Sequence, residues 1–201
     1  MKRNLVRLTA WVLLFVLFVS SSSASTVKLA PVGSAEEIIS AVAVYCDKWH
    51  ELIGADLGYN MAFDETNITL TQDWHTDVGG NRVKSFNFDG IVADLDEEMN
   101  VYTLMVGIES GRKEQYTSTA RIFGIICAVA YDYPSSERAM TDRYLTLLGE
   151  YLDFMEKNKD TLAAGEFAYW EITTEKGEFE FQFFAYNGKT RMIFDKMYFA
   201  D

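Results

Sequence analysis

The chain has 201 residues, of which 49% are hydrophobic and 14% aromatic, and its 30 acidic against 18 basic residues give a formal charge of −12. That balance argues against nucleic acid and anionic lipid as partners, since both bind through basic surface; it is compatible with a basic protein partner or a cation, and it reads first as charge that keeps the domain soluble. The length suits one domain with a substantial core and falls short of two.

Met1 to Ala24 has the form of a removable export signal. Lys2, Arg3 and Arg7 are followed by the apolar run Leu8 to Val19 and by a small-residue exit in which Ser22 and Ala24 precede the cut. Twelve helical residues span roughly 18 Å, against a hydrocarbon core of about 30 Å, so cleavage fits better than an uncleaved membrane anchor. No cysteine follows the run to carry a lipid. The expected product is a secreted protein, extracellular or periplasmic, with no membrane span once the signal is removed. Loss of three basic residues takes the formal charge from −12 to −15.

Residues 25–33, with Pro31, read as an irregular lead, and 34–201 as a single globular domain. Ser34-Ala-Glu-Glu37 has the capping-box pattern, in which the Ser34 hydroxyl and the Glu37 carboxylate satisfy backbone amides reciprocally. A helix follows, with Ile38, Val42, Cys46, Trp49 and Ile53 at helical spacing and Gly54 as its stop. From about Met61 the period becomes two. Ile68 and Leu70 alternate with threonines, Gly79-Gly80-Asn81 marks a turn, and Val83, Phe86 and Phe88 follow. A second hairpin runs from Ile91 to Leu95 and Val101 to Val106 across an acidic turn, with Gly107 as its end.

Gln115 to Tyr131 is apolar nearly all round, which predicts a central helix covered on most sides. After a break at Asp132 to Ser136, an amphipathic helix runs to Lys157 and buries Met140, Tyr144, Leu147, Leu148, Tyr151, Leu152 and Met155. The last third is a strand meander: Phe167 to Thr174, Glu178 to Tyr186 and Lys189 to Phe199, with Asn187-Gly188 supplying a tight hairpin turn. Runs of helices and runs of strands, rather than strict alternation, define an α+β fold: an antiparallel β-sheet packed by an N-terminal helix and a central helical hairpin. Each half reads as a helix followed by a meander, the pattern an α-plus-meander duplication would leave.

Few residues carry chemistry. Asp73, His75 and Asp77 share one face if extended and would offer two carboxylates and an imidazole to a divalent metal or serve as a general base. The same residues also read as a solvated hairpin end before Gly79, and that reading takes precedence. Cys46 and Cys127 leave two states open: a disulfide closing an 81-residue loop, worth about 4.5 kcal/mol in the chain-entropy model, or two buried thiols. Asp94, Asp96, Glu97 and Glu98 lack the turn glycine and distal glutamate of a calcium loop. Nucleophile elbows, phosphate loops and zinc signatures are absent, and nothing calls for a cofactor. Trp74, Tyr169, Trp170, Tyr186 and Tyr198 are the aromatics placed to lie on an outer sheet face, where flat amphipathic rings suit a sugar or protein partner. The leading expectation is therefore a non-catalytic exported binding or protein-interaction module, and the alternative an exported, metal-assisted hydrolase.

Overall fold

The computed structural model describes residues 26–49, 51, 68–70, 73–108 and 112–200. The predicted export signal, His50 and the end of the first predicted helix, including Ile53 and Gly54, lie outside the described residues, as does the stretch from Met61 to Asn67. The elements in chain order are β1 (Thr26–Ala30), β2 (Gly33–Ser34), α1 (Ala35–Trp49), β3 (Ile68–Leu70), β4 (His75–Thr76), β5 (Arg82–Phe88), β6 (Ile91–Leu95) and β7 (Asn100–Ile108). Then come α2 (Arg112–Ala130), α3 (Glu137–Ala163), β8 (Ala168–Thr174), β9 (Gly177–Tyr186) and β10 (Lys189–Ala200). The fold is α+β, with helices against one antiparallel sheet.

Strand order is β3-β5-β6-β7-β10-β9-β8, with β1 joined to the end of β10, β2 to the start of β7 and β4 to the start of β5. Two meanders meet at a central seam, β7 against β10, running from Thr190 opposite Ile108 to Asp195 opposite Thr103. Each half runs helix, then meander, and delivers its last strand to that seam. Gly107 does not end β7, because Arg191 of β10 pairs with it and carries the ladder on.

Local chemistry sets the boundaries. The Ser34 hydroxyl accepts from the Glu37 amide at 3.3 Å, and the Ser136 hydroxyl from the Ala139 amide at 3.2 Å, so both helices start where a capping side chain is available. Asn187 and Gly188 take φ of 51° and 75°, and Asp89 and Gly90 take 47° and 79°, so tight two-residue turns join β9 to β10 and β5 to β6.

Two expectations change, one on α3, where Leu152 of the predicted buried stripe is 58% exposed, and one in the N-terminal segment. Residues 26–30 of the supposed irregular lead form β1, with Leu29 opposite Met197 and Lys28 opposite Tyr198. Strand pairing comes from a segment some 170 positions away, which no local pattern announces. The cysteines are free thiols, both buried. Cys46 directs its Sγ toward the Ala120 carbonyl oxygen at 3.4 Å, and burial raises both thiols, Cys127 to about 12.

The core lies between the sheet and the helices. α1 and α2 cross closely at Gly124, where a Cβ would sit 2.9 Å from Cys46 Sγ and 3.2 Å from Val42 Cγ1. Arg121 of α2 reaches Asp89 in the β5–β6 turn at 3.2 Å. α3 runs to Ala163, six residues past the predicted end, and covers β8 and β9 through Phe154, whose ring lies 5.8 Å from Trp170 and 4.9 Å from Phe183. α3 meets the other two helices through rings: Tyr144 against Trp49 at 5.5 Å and Tyr151 against Phe123 at 5.7 Å. The Tyr144 hydroxyl donates to the Tyr45 carbonyl. Among the described residues, no helix is long and apolar enough to cross a membrane.

Candidate functional site

Side chains alternate along a strand, so the helices can cover only one face of the sheet. Phe181 and Phe183 of β9, Met192 and Phe194 of β10, and Ile91 and Ala93 of β6 take the covered face and are buried. Their neighbours Glu180, Gln182, Phe184, Ile193, Asp195 and Asp94 take the other, away from the helices. This outer face is not flat. The turn between β4 and β5 reaches back to β1, with Asn81 Nδ2 3.4 Å from the Leu29 carbonyl oxygen, and Gly79 approaches so closely that a Cβ there would lie 2.5 Å from the Leu29 amide nitrogen. The sheet therefore curls over its own outer face and encloses a groove of about 740 Å³.

One wall of the groove is His75, Thr76, Asp77 and Val78; the other is Phe167, Tyr169 and Phe184, with Ile193 and Met197 between them. Phe167 stacks on Tyr169 at 6.3 Å and meets Phe184 at 5.4 Å, yet Phe167 and Tyr169 remain 52% and 50% exposed. A polar row crosses the floor: Ser85 opposite Asp94, Asp94 opposite Thr103, and Thr103 opposite Asp195. The Ser85 hydroxyl donates to Asp94 Oδ1 at 2.6 Å, and His75 Nε2 stands 3.9 Å from the same oxygen. Asp195 Oδ1 is buried and has no hydrogen-bond partner among the described residues. Burial, then the charges of Glu180 and Asp77, hold the Asp195 carboxyl above the usual carboxylate range.

Of the five predicted surface aromatics, Tyr169 lines the groove, and Tyr186 stands exposed on the same face with Arg191 over its ring at 6.0 Å. Trp170 is a correction: it is 7% exposed, because its position in β8 points it beneath α3. Trp74 is another, since Arg82 and Lys84 lie over its ring at 4.8 and 5.1 Å. Those two residues share the parity of Phe86 and Phe88, away from the groove. Tyr198 is exposed but shares the parity of Met192 and Phe194 on β10, so it too faces away from the groove.

The proposed metal set does not gather. Asp77 binds its own turn, accepting from the Asn81 amide at 2.8 Å and from Asn81 Nδ2 at 3.0 Å, while His75 turns toward Asp94 and Asp73 is exposed. Among the described residues, no three His, Cys, Asp or Glu side chains form a group able to hold a metal ion. Asp96 repeats the turn-binding arrangement with Asn100, at 2.8 and 3.0 Å. The sequence reading missed Phe167, Phe184, Glu180 and Asp195 as site residues. Their signal was present in period-two alternation: Glu180-Gln182-Phe184 and Ile193-Asp195-Met197 are the off-core halves of two strongly apolar strands. No protein-family model matches the chain, and comparison with characterised proteins and with solved structures returns no match.

Proposed function

We propose that this chain is an exported, non-catalytic binding module whose ligand seat is the outer, curled face of its sheet. One observation carries the reading: the exposed Phe167 and Tyr169 and the half-buried Phe184 form a ring cluster on the wall of a groove that no described element fills. Exposed aromatic rings grouped at a concavity cost solvation without adding to the core, which is the usual signature of a contact surface. The signal-like start of the sequence supports export, and the acid excess supports a diffusing, soluble product.

The hydrolase reading has less support, because Asp77 binds the Asn81 turn and His75 faces Asp94, while Asp73 is exposed. Two measurements test the proposal. Expression of the full chain with its own N-terminus, followed by intact-mass analysis, is expected to return a product beginning at Ser25. A calorimetric screen of soluble oligosaccharides, peptides and amines is expected to find a ligand whose affinity drops in Tyr169→Ala and Phe184→Ala but not in Leu152→Ala on α3. Equal binding by all three variants would place the ligand elsewhere.

A further inference from the structure

Resting on that binding-module reading, we infer that the groove takes a small organic polycation, an aliphatic polyamine by chemical class, held between the Asp94 and Asp195 carboxylates and the Tyr169 and Phe184 ring faces. The first argument is charge. Asp77, Asp94, Glu180 and Asp195 line the groove with His75, and no lysine or arginine is among its described lining residues. Two cations stand at its margin: Arg191, opposite Phe184 on the same face, sits over the Tyr186 ring, and Lys196 borders the adjoining depression, so four carboxylates face one neighbouring guanidinium and one ammonium.

The second argument is an unmet acceptor. Asp195 Oδ1 is buried without a donor, on a strand that could carry an apolar residue at lower cost in stability. Asp94 receives one hydroxyl, from Ser85, and has acceptor capacity to spare. A ligand with several N–H donors would satisfy both and relieve the repulsion that Glu180 and Asp77 exert on Asp195.

The third argument is spacing. Asp94 and Asp195 are both opposite Thr103 across β7, which puts their backbones two interstrand steps apart, about 9.6 Å. A single hard metal ion needs six or more oxygens at about 2.4 Å, and among the described residues no three His, Cys, Asp or Glu side chains group closely enough to hold one. A chain with ammonium groups several bonds apart can reach both carboxylates at once. Its methylenes then lie against Ile193 and Met197, and its charge meets the faces of Tyr169 and Phe184. A volume of about 740 Å³ accommodates such a molecule.

The test is titration calorimetry with spermidine at low ionic strength, beside a neutral hexasaccharide and a lysine-rich decapeptide. Saturable spermidine binding is expected, weakened about tenfold or more in the folded Asp195→Asn/Glu180→Gln variant and in Tyr169→Ala, and weakened by added salt. Spermidine binding that is unchanged in these variants would reduce the effect to general surface acidity and overturn the inference. Binding of the hexasaccharide or the decapeptide, but not spermidine, with loss in Tyr169→Ala, would overturn the cation assignment and leave the binding face standing. Failure of the wild-type protein to bind any of the three would overturn both.

Discussion

Asp195 lies directly opposite Thr103 in the seam between the two meanders, and its Oδ1 is buried where no described donor reaches it. A carboxylate in that position makes the folded state less stable than it would be with a neutral side chain. The carboxyl's pKa is raised, so the folded protein binds its proton more tightly than the unfolded chain does. Stability is then greatest, for this group, below the ordinary carboxylate pKa of about 3.8 and falls as pH rises through the folded value. Asp195→Asn is expected to raise the melting temperature at pH 7 by a few degrees, about what 1 kcal/mol gives in a domain of this size, and to change it little near pH 3. Thermal unfolding across that range checks it; a lowered melting point at pH 7 would show that Asp195 has a stabilising partner.

Asp96 behaves in the opposite sense. Burial alone would raise its carboxyl, but donors from Asn100, Tyr102 and the Glu98 amide outweigh that and hold it below its ordinary value. Its contribution is present above the unfolded pKa and is lost as pH falls through the folded one. Asp96→Ala is expected to cost about 1–2 kcal/mol at pH 7, since the acidic turn loses its internal acceptor, and less at pH 3. Urea denaturation at the two pH values measures the difference.

Gly124 and Cys46 set the distance between α1 and α2. A Cβ at 124 would meet Cys46 Sγ at 2.9 Å and the Val42 carbonyl oxygen at 3.3 Å, so Gly124→Ala is expected to destabilise by about 1–3 kcal/mol despite the higher helix propensity of alanine. Cys46→Ala removes the closest obstruction. The double variant should be less destabilised than the two single effects added together, a coupling a double-mutant cycle reads directly.

Gly79 holds the curl that forms the groove. Its missing side chain lets the β4–β5 turn lie against β1, where a Cβ would stand 2.5 Å from the Leu29 backbone nitrogen. Backbone cannot yield as a flexible side chain can, so Gly79→Ala should separate the turn from β1. Faster amide exchange in residues 27–30, with α2 unchanged, is the expected reading; uniform loss of protection would mean global unfolding instead.

The cysteines are expected to be inert in the folded protein. Both thiols are buried and titrate far above neutral pH, and thiolate is the reactive form. Iodoacetamide at pH 7.5 should leave the native protein unmodified and add two groups after denaturation without reductant. A requirement for reductant would show a disulfide.

Much of this fold is legible in the residues themselves. The caps at Ser34 and Ser136, the Asn187-Gly188 turn, the three-strand C-terminal meander and the apolar all-round character of α2 are local properties, written in neighbouring side chains. So is the pairing of β6 with β7 across the acidic turn, because close strands need no distant information. The alternation in β9 and β10 even marks which residues leave the core.

Relations between distant segments were decided only by the tertiary structure. Which face of β8 the last helix covers determines that Trp170 is core and Tyr169 surface, although both are aromatic and adjacent. Residues 26–30 become a strand only because the end of β10 offers them a partner. The groove exists only because the β4–β5 turn reaches β1 and β7 meets β10, which brings Asp94 and Asp195, 101 positions apart, to either side of Thr103. Periodicity reports how a segment divides its own faces; it does not report what those faces meet, and the candidate site here is made of such meetings.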